Sequence, residues 1–150
     1  MALYFLETSA LVKLYIQETG TEKLLNLASP AAGNRLAILS LAQVEFRSAI
    51  RRRERNGEIP GFAAEELLES FRRHAEGRFL TQPLGDFLLD TAAVLIDRQG
   101  LRAYDALQLA GYLALCTTAT PEQPIFVCAD KDLLAAAQSE NLPVLDPCLP

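Results

Sequence analysis

Four acids in this chain stand where acids are uncommon. Glu7 ends the apolar stretch LYFLE, Asp130 ends IFVCAD, and Glu45 lies in a helical run between Val44 and Phe46. Asp105 sits in LRAYDALQLAGYLALC, an almost wholly apolar helical stretch that also carries the amide Gln108. An ionised carboxylate is costly to bury unless a cation or hydrogen bonds compensate it, so Asp105 requires a partner. Brought together, these acids would form a hard oxygen site suited to Mg²⁺ or Mn²⁺ rather than zinc. A site of that kind can orient and deprotonate a water and stabilise charge on a phosphodiester and its leaving oxygen, the chemistry of metal-dependent nucleases.

Each acid also has an ordinary reading. Glu7 can be a turn acid stabilised by a helix N-terminus, and Asp130 can cap the helix of residues 133–138, with Asp132 a solvated acid in its first turn. Glu45 can pair with Arg52 along its helix, and Asp105 with Arg102. Yet Glu7 and Asp130 follow strands of the same type, which in a parallel sheet share one edge. Glu45 lies in a helix that begins where a third strand ends.

The elements that position them follow from the apolar pattern. Near-continuous apolar runs at residues 2–6, 36–39, 125–129 and 144–145 alternate with longer helical patterns. Strands without polar alternation, separated by helices, indicate a parallel sheet covered on both faces. Helices are expected at 21–28, 41–55, 62–75, 84–98 and 133–138, with a short extended piece at 79–82. Thr8 or Ser9 is expected to cap a helix after the first strand, and Ser40 the helix of 41–55. In the helix of 84–98, Leu84, Leu88, Ala92 and Leu95 share one face. Pro30, Pro60, Pro83, Pro121, Pro124, Pro143 and Pro147 fall at the joints. Glu65, Glu69 and Arg73 recur opposite an apolar stripe and are expected in water.

Composition removes several alternatives. At 150 residues and 50% hydrophobic, the chain is expected to form one globular domain. The apolar run around Asp105 is broken by that acid and falls well short of the ~20 residues that cross a bilayer. With no basic n-region before the first apolar residues, a soluble, cytoplasmic protein is expected. Three cysteines without CxxC spacing argue against a disulfide framework or a zinc site. A single histidine, His74, in a charged run argues against histidine-dependent acid–base chemistry. A net charge of −5 excludes a globally basic surface but not a local nucleic-acid site. Neither G-x-x-x-x-G-K-[ST] nor G-x-G-x-x-G occurs, and a phosphatase using an aspartate nucleophile after its first strand would need Asp where Glu7 stands.

Four blocks, FLETSALVKLYIQETG, LAQVEFRSAIRRRERNGEI, LRAYDALQLA and FVCADKDLLAAAQSENLPVLDP, resemble in order and spacing the signature blocks of PIN-domain ribonucleases, above all VapC-type toxins of bacterial toxin–antitoxin pairs. The resemblance spans nearly the whole chain. It implies a three-layer α/β/α sandwich with a central, mainly parallel sheet, Mg²⁺- or Mn²⁺-dependent endoribonuclease activity, a homodimer and a small cognate antitoxin that blocks the site. It places the catalytic and metal-binding acids at Glu7, Glu45, Asp105 and Asp130, with Thr8, Ser9 and Asp132 in support. Arg51 and Arg52, from the cluster of residues 47–55, and Arg102 are candidate contacts with RNA phosphates. One position departs from the pattern: the first acid of these proteins is normally aspartate, and here it is Glu7. The extra methylene displaces the carboxylate by about 1.5 Å, and Mg²⁺ tolerates little departure from octahedral geometry. The alternative is therefore a catalytically weak or silent PIN-like scaffold that works by binding RNA or a protein.

Overall fold

A computed structural model describes residues 1–118 and 122–150; the joint expected at Pro121 lies outside the described residues. Five strands, β1 (Leu3–Leu6), β2 (Arg35–Leu39), β3 (Phe79–Gln82), β4 (Ile125–Val127) and β5 (Val144–Leu145), form one sheet in the order β3-β2-β1-β4-β5. Every neighbouring pair is parallel, with Phe5 opposite Ala37 on one side of β1 and Phe126 on the other. The helices are α1 (Thr8–Leu11), α2 (Thr21–Ala28), α3 (Ala42–Arg55), α4 (Gly61–Gly77), α5 (Phe87–Gln99), α6 (Ala103–Thr118) and α7 (Lys131–Ser139).

The apolar runs form strands because both sheet faces are covered. Alternate residues of each strand enter opposite cores. Leu3, Phe5, Ala37, Leu39, Phe126 and Cys128 pack with α5, α6 and α7. Leu6, Leu36, Ile38 and Val127 pack with α1 to α4. Aromatic contacts anchor each layer: Phe5 meets Tyr112 edge-on at 5.9 Å, and Phe46 of α3 stacks on Phe71 of α4 at 4.3 Å. Full burial of a side chain such as Phe5 or Phe46 contributes roughly 1.5–3 kcal/mol relative to exposure. The polar face expected for Glu65, Glu69 and Arg73 is exposed.

Helix α6 is the inner helix, with residues buried around most of its circumference. Gly111 lets it lie on the sheet: a Cβ there would come within 2.7 Å of Leu39 Cδ1 on β2. Tyr112 secures its far end by donating a 2.7 Å hydrogen bond to the Pro124 carbonyl. Among the described residues no helix is long and apolar enough to cross a membrane.

Two expected caps and one helix face are different. Glu7, rather than Thr8 or Ser9, is the N-cap of α1. Ser40 does not cap α3; its Oγ accepts from Leu84 N at 2.9 Å and ties the end of β2 to the segment before α5. That segment holds Leu84 outside the helix, so only Leu88, Ala92 and Leu95 carry the buried face of α5. In each case tertiary hydrogen bonding or packing outweighs a local preference of under ~2 kcal/mol. Cys128 is buried and Cys116 half-buried, and all three cysteines are free.

Candidate active site

In this strand order the chain leaves β1 toward β2 and β3, then returns to the other side of β1 as β4. The crevice beyond the carboxyl ends of β1 and β4 is thus the topological switch point, where open α/β sheets hold ligands. Glu7 N donates to the Val127 carbonyl at 3.0 Å and prolongs the β1–β4 ladder to its lip. A cleft of about 480 Å³ opens there. Glu7, Glu45, Asp105 and Asp130 all line it, with Thr8, Ser9, Arg52, Arg102 and Tyr104.

Glu7 leaves β1 in an extended conformation and turns its carboxylate back over the first turn of α1. Its Oε2 accepts from Ser9 N at 2.9 Å, from Ser9 Oγ, and from Cys128 Sγ at 3.4 Å. Ser9 Oγ also accepts from Ala129 N at 2.9 Å, so one hydroxyl joins the ends of β1 and β4. Glu7 is only 5% exposed. That burial drives its carboxyl up to about 7, against the hydrogen bonds from Ser9 and Cys128, with the charge of Glu45 adding to the rise.

Glu45, in the first turn of α3, accepts from Thr8 Oγ1 at 2.9 Å and from Gln108 Nε2 at 2.6 Å. Its hydrogen bonds thus come from α1 and α6, not from Arg52. Burial raises its pKa, the bonds from Gln108 and Thr8 oppose that, and Asp105 raises it further.

Asp105 is buried on α6, and its Oδ2 accepts from Arg102 Nε at 3.2 Å. The same guanidinium reaches Asp130 Oδ2 at 3.9 Å. Burial pushes the Asp105 carboxyl above the usual aspartate range; Arg102 pulls it down, while Asp130 and Asp132 push it up. Asp130 caps α7 through Leu133 N, 3.0 Å from Oδ1. The ordinary readings of Asp105, Asp130 and Glu7 are therefore true together with their place in the cleft.

Other candidates separate. Thr8 and Ser9 touch the acids, whereas Asp132 is exposed outside the cleft lining and acts on Asp105 only through its charge. Arg51 lies away from the cleft, with its guanidinium held by Glu54 at 2.8 Å and Glu65 at 2.6 Å. Arg52 lines the cleft and makes no ion pair among the described residues. Sequence reasoning assigned no role to Tyr104 or to Gln108. An amide three residues after Asp105 on an apolar helix was the available signal for Gln108.

The donor set suits a hard divalent cation. In each acid the hydrogen bonds fall on one oxygen, leaving Glu7 Oε1, Glu45 Oε2, Asp105 Oδ1 and Asp130 Oδ2 without one among the described residues. The raised pKa values of three of them come first from burial and, to a smaller extent, from the neighbouring acids, and a cation would offset both. Among the described residues, no group of three or more His, Cys, Asp or Glu is gathered closely enough to enclose a metal ion, so the fit is one of donor chemistry.

No protein-family model and no curated protein matches the chain. Solved structures do match. The crystal structure of VapBC2 from Rickettsia felis bound to a promoter DNA fragment aligns over 96% of this chain and 98% of that chain, at TM-score 0.62 and 17% identity. A toxin–antitoxin complex from Klebsiella pneumoniae aligns over 96% and 97%, at TM-score 0.64 and 14% identity. PAE2754 from Pyrobaculum aerophilum aligns over 90% and 84%, at TM-score 0.58 and 25% identity. The chain has the PIN-like α/β/α fold that its sequence resemblance implies. It shares that fold with chains of the VapBC2 and Klebsiella pneumoniae toxin–antitoxin structures.

Proposed function

We propose that this chain is a single-domain, Mg²⁺- or Mn²⁺-dependent endoribonuclease, the toxin of a toxin–antitoxin pair. The observation that carries this reading is the arrival of four carboxylates from four separate segments at one cleft on the switch edge of a PIN-like sheet. Glu7, Glu45, Asp105 and Asp130 would hold the cation, which when bound would supply the positive charge that activates water and stabilises the leaving oxygen. Thr8 and Gln108 orient Glu45, and Ser9 orients Glu7. Arg52 and Arg102 face the RNA phosphates. The likeness to toxin–antitoxin complexes supports a small cognate antitoxin that covers this cleft, and the sequence resemblance supports a homodimer acting in the cytoplasm.

A second reading is a weak or silent scaffold that works by binding. It is favoured by Glu7, whose longer side chain folds back to cap α1. RNA cleavage by purified protein in Mg²⁺, Mn²⁺ or EDTA, beside Asp105→Asn and Glu7→Asp, separates the two. Metal-dependent cleavage abolished in Asp105→Asn supports the enzyme, and cleavage that persists in that variant sinks the mechanism. Cleavage that appears only in Glu7→Asp supports the scaffold.

A further inference from the structure

We propose that Cys128 is a positioning residue for Glu7: its thiol, fixed by the backbone amide of Asp130, holds the folded-back carboxylate at the end of β1, so that a glutamate serves as cation ligand where an aspartate is expected. The inference rests on the metal-dependent reading and says how this chain accommodates its longer acid.

Cys128 follows β4 directly and is fully buried. Packing against the core beneath α5, α6 and α7 accounts for that burial, as it would for an alanine. It does not account for the polar contacts of the sulfur. Sγ lies 3.4 Å from Glu7 Oε2 and accepts from Asp130 N, also at 3.4 Å. A thiol has one proton to donate, and the Glu7 carboxylate is both nearer than the Asp130 carbonyl, at 3.6 Å, and the stronger acceptor. One side chain at the end of β4 is thereby joined to two of the four acids of the cleft.

The match between the two residues is one of length. Glu7 is drawn back by hydrogen bonds from Ser9 and Cys128 that all fall on Oε2, while Oε1 has no partner among the described residues. An aspartate in its place is shorter by about 1.5 Å. Its carboxylate would no longer reach a sulfur that stands 3.4 Å from the glutamate, because a hydrogen bond weakens steeply beyond its normal length. Ser9 serves either acid through its backbone amide, since that contact is local. The thiol has a carboxylate partner only when residue 7 is glutamate. Glu7 and Cys128 are therefore coupled, and a double-mutant cycle measures the coupling.

The test is titration calorimetry with Mn²⁺ alone on wild type, Cys128→Ala, Cys128→Ser, Glu7→Asp and Glu7→Asp combined with Cys128→Ala, with thermal unfolding in EDTA as the check on folding. Cys128→Ala is expected to weaken Mn²⁺ binding by about tenfold, the effect of losing a group that orients a metal ligand, and Cys128→Ser, which keeps a donor, by about threefold or less. In the Glu7→Asp background, Cys128→Ala is expected to change the affinity by less than about twofold. Unchanged affinity in Cys128→Ala overturns the inference and leaves the ribonuclease reading standing. Equal losses in Cys128→Ala and Cys128→Ser do the same, as does an equal loss on the Glu7 and Asp backgrounds. If Glu7→Asp binds no Mn²⁺, the comparison of alanine with serine decides alone. A wild-type protein that binds no Mn²⁺ overturns both.

Discussion

The side-chain amide of Gln108 donates to Glu45 Oε1 at 2.6 Å and to Thr8 Oγ1 at 3.0 Å. One residue of α6 thereby fixes an acid of α3 against the first turn of α1. The reverse amide orientation would set a carbonyl oxygen against a carboxylate oxygen. The orientation adopted leaves Gln108 Oε1 buried without a partner, at a cost of about 1–3 kcal/mol. The amide is thus oriented by Glu45 and Thr8 at the expense of its own carbonyl.

Gln108→Leu is accordingly expected to weaken Mn²⁺ binding and RNA cleavage by roughly tenfold or more, the usual effect of losing a residue that orients a metal ligand. Thermal stability should change little, because the unpartnered carbonyl is removed along with the hydrogen bonds. Mn²⁺ titration calorimetry beside a melting curve checks this. A large fall in melting temperature with unchanged Mn²⁺ affinity would contradict it.

Glu7 makes stability depend on pH in an unusual direction. Its folded pKa, about 7, lies above the ordinary value of 4.5, so the native state holds a proton that the unfolded chain has released. The contribution of Glu7 to stability in EDTA is then greatest below about 4.5 and declines as pH rises toward 7, by roughly 3 kcal/mol in all. Urea unfolding at pH 5 and pH 8 should show the decline, Glu7→Gln should reduce it, and Mn²⁺ should restore stability more at pH 8 than at pH 5.

Arg102→Ala removes the cation that draws the pKa of Asp105 down against burial and the charges of Asp130 and Asp132. The acidic limb of the pH profile for RNA cleavage is expected to move to higher pH, with a higher KM from the lost phosphate contact. An unshifted limb would show that Asp105 does not control it.

Gly111→Val places side-chain atoms where a Cβ alone would stand 2.7 Å from Leu39 Cδ1. Forcing α6 from the sheet should cost about 1–3 kcal/mol in urea unfolding. Cleavage by the folded fraction should also fall, because Asp105 and Gln108 move with the helix.

The chain's one-dimensional pattern was enough for its architecture and for where its acids lie. Short apolar runs between turn residues fit strands covered on both faces, whereas the longer apolar stretch around Asp105 fits a buried helix, and parallel strands bring the residues that follow them to a common edge. Glu7 and Asp130 were therefore legible as neighbours, and Asp105 was legible as an acid in need of a partner. Only the tertiary structure decided what each acid touches. Arg51 and Arg52 are adjacent in sequence, but helical geometry turns one to Glu54 and Glu65 and the other into the cleft. The contact between Gln108 and Glu45 joins residues 63 apart, which no local spacing specifies. Glu7, not the hydroxyl residues after it, caps α1, because the ladder to Val127 holds its backbone at the lip of the sheet and leaves its carboxylate free to turn back onto Ser9.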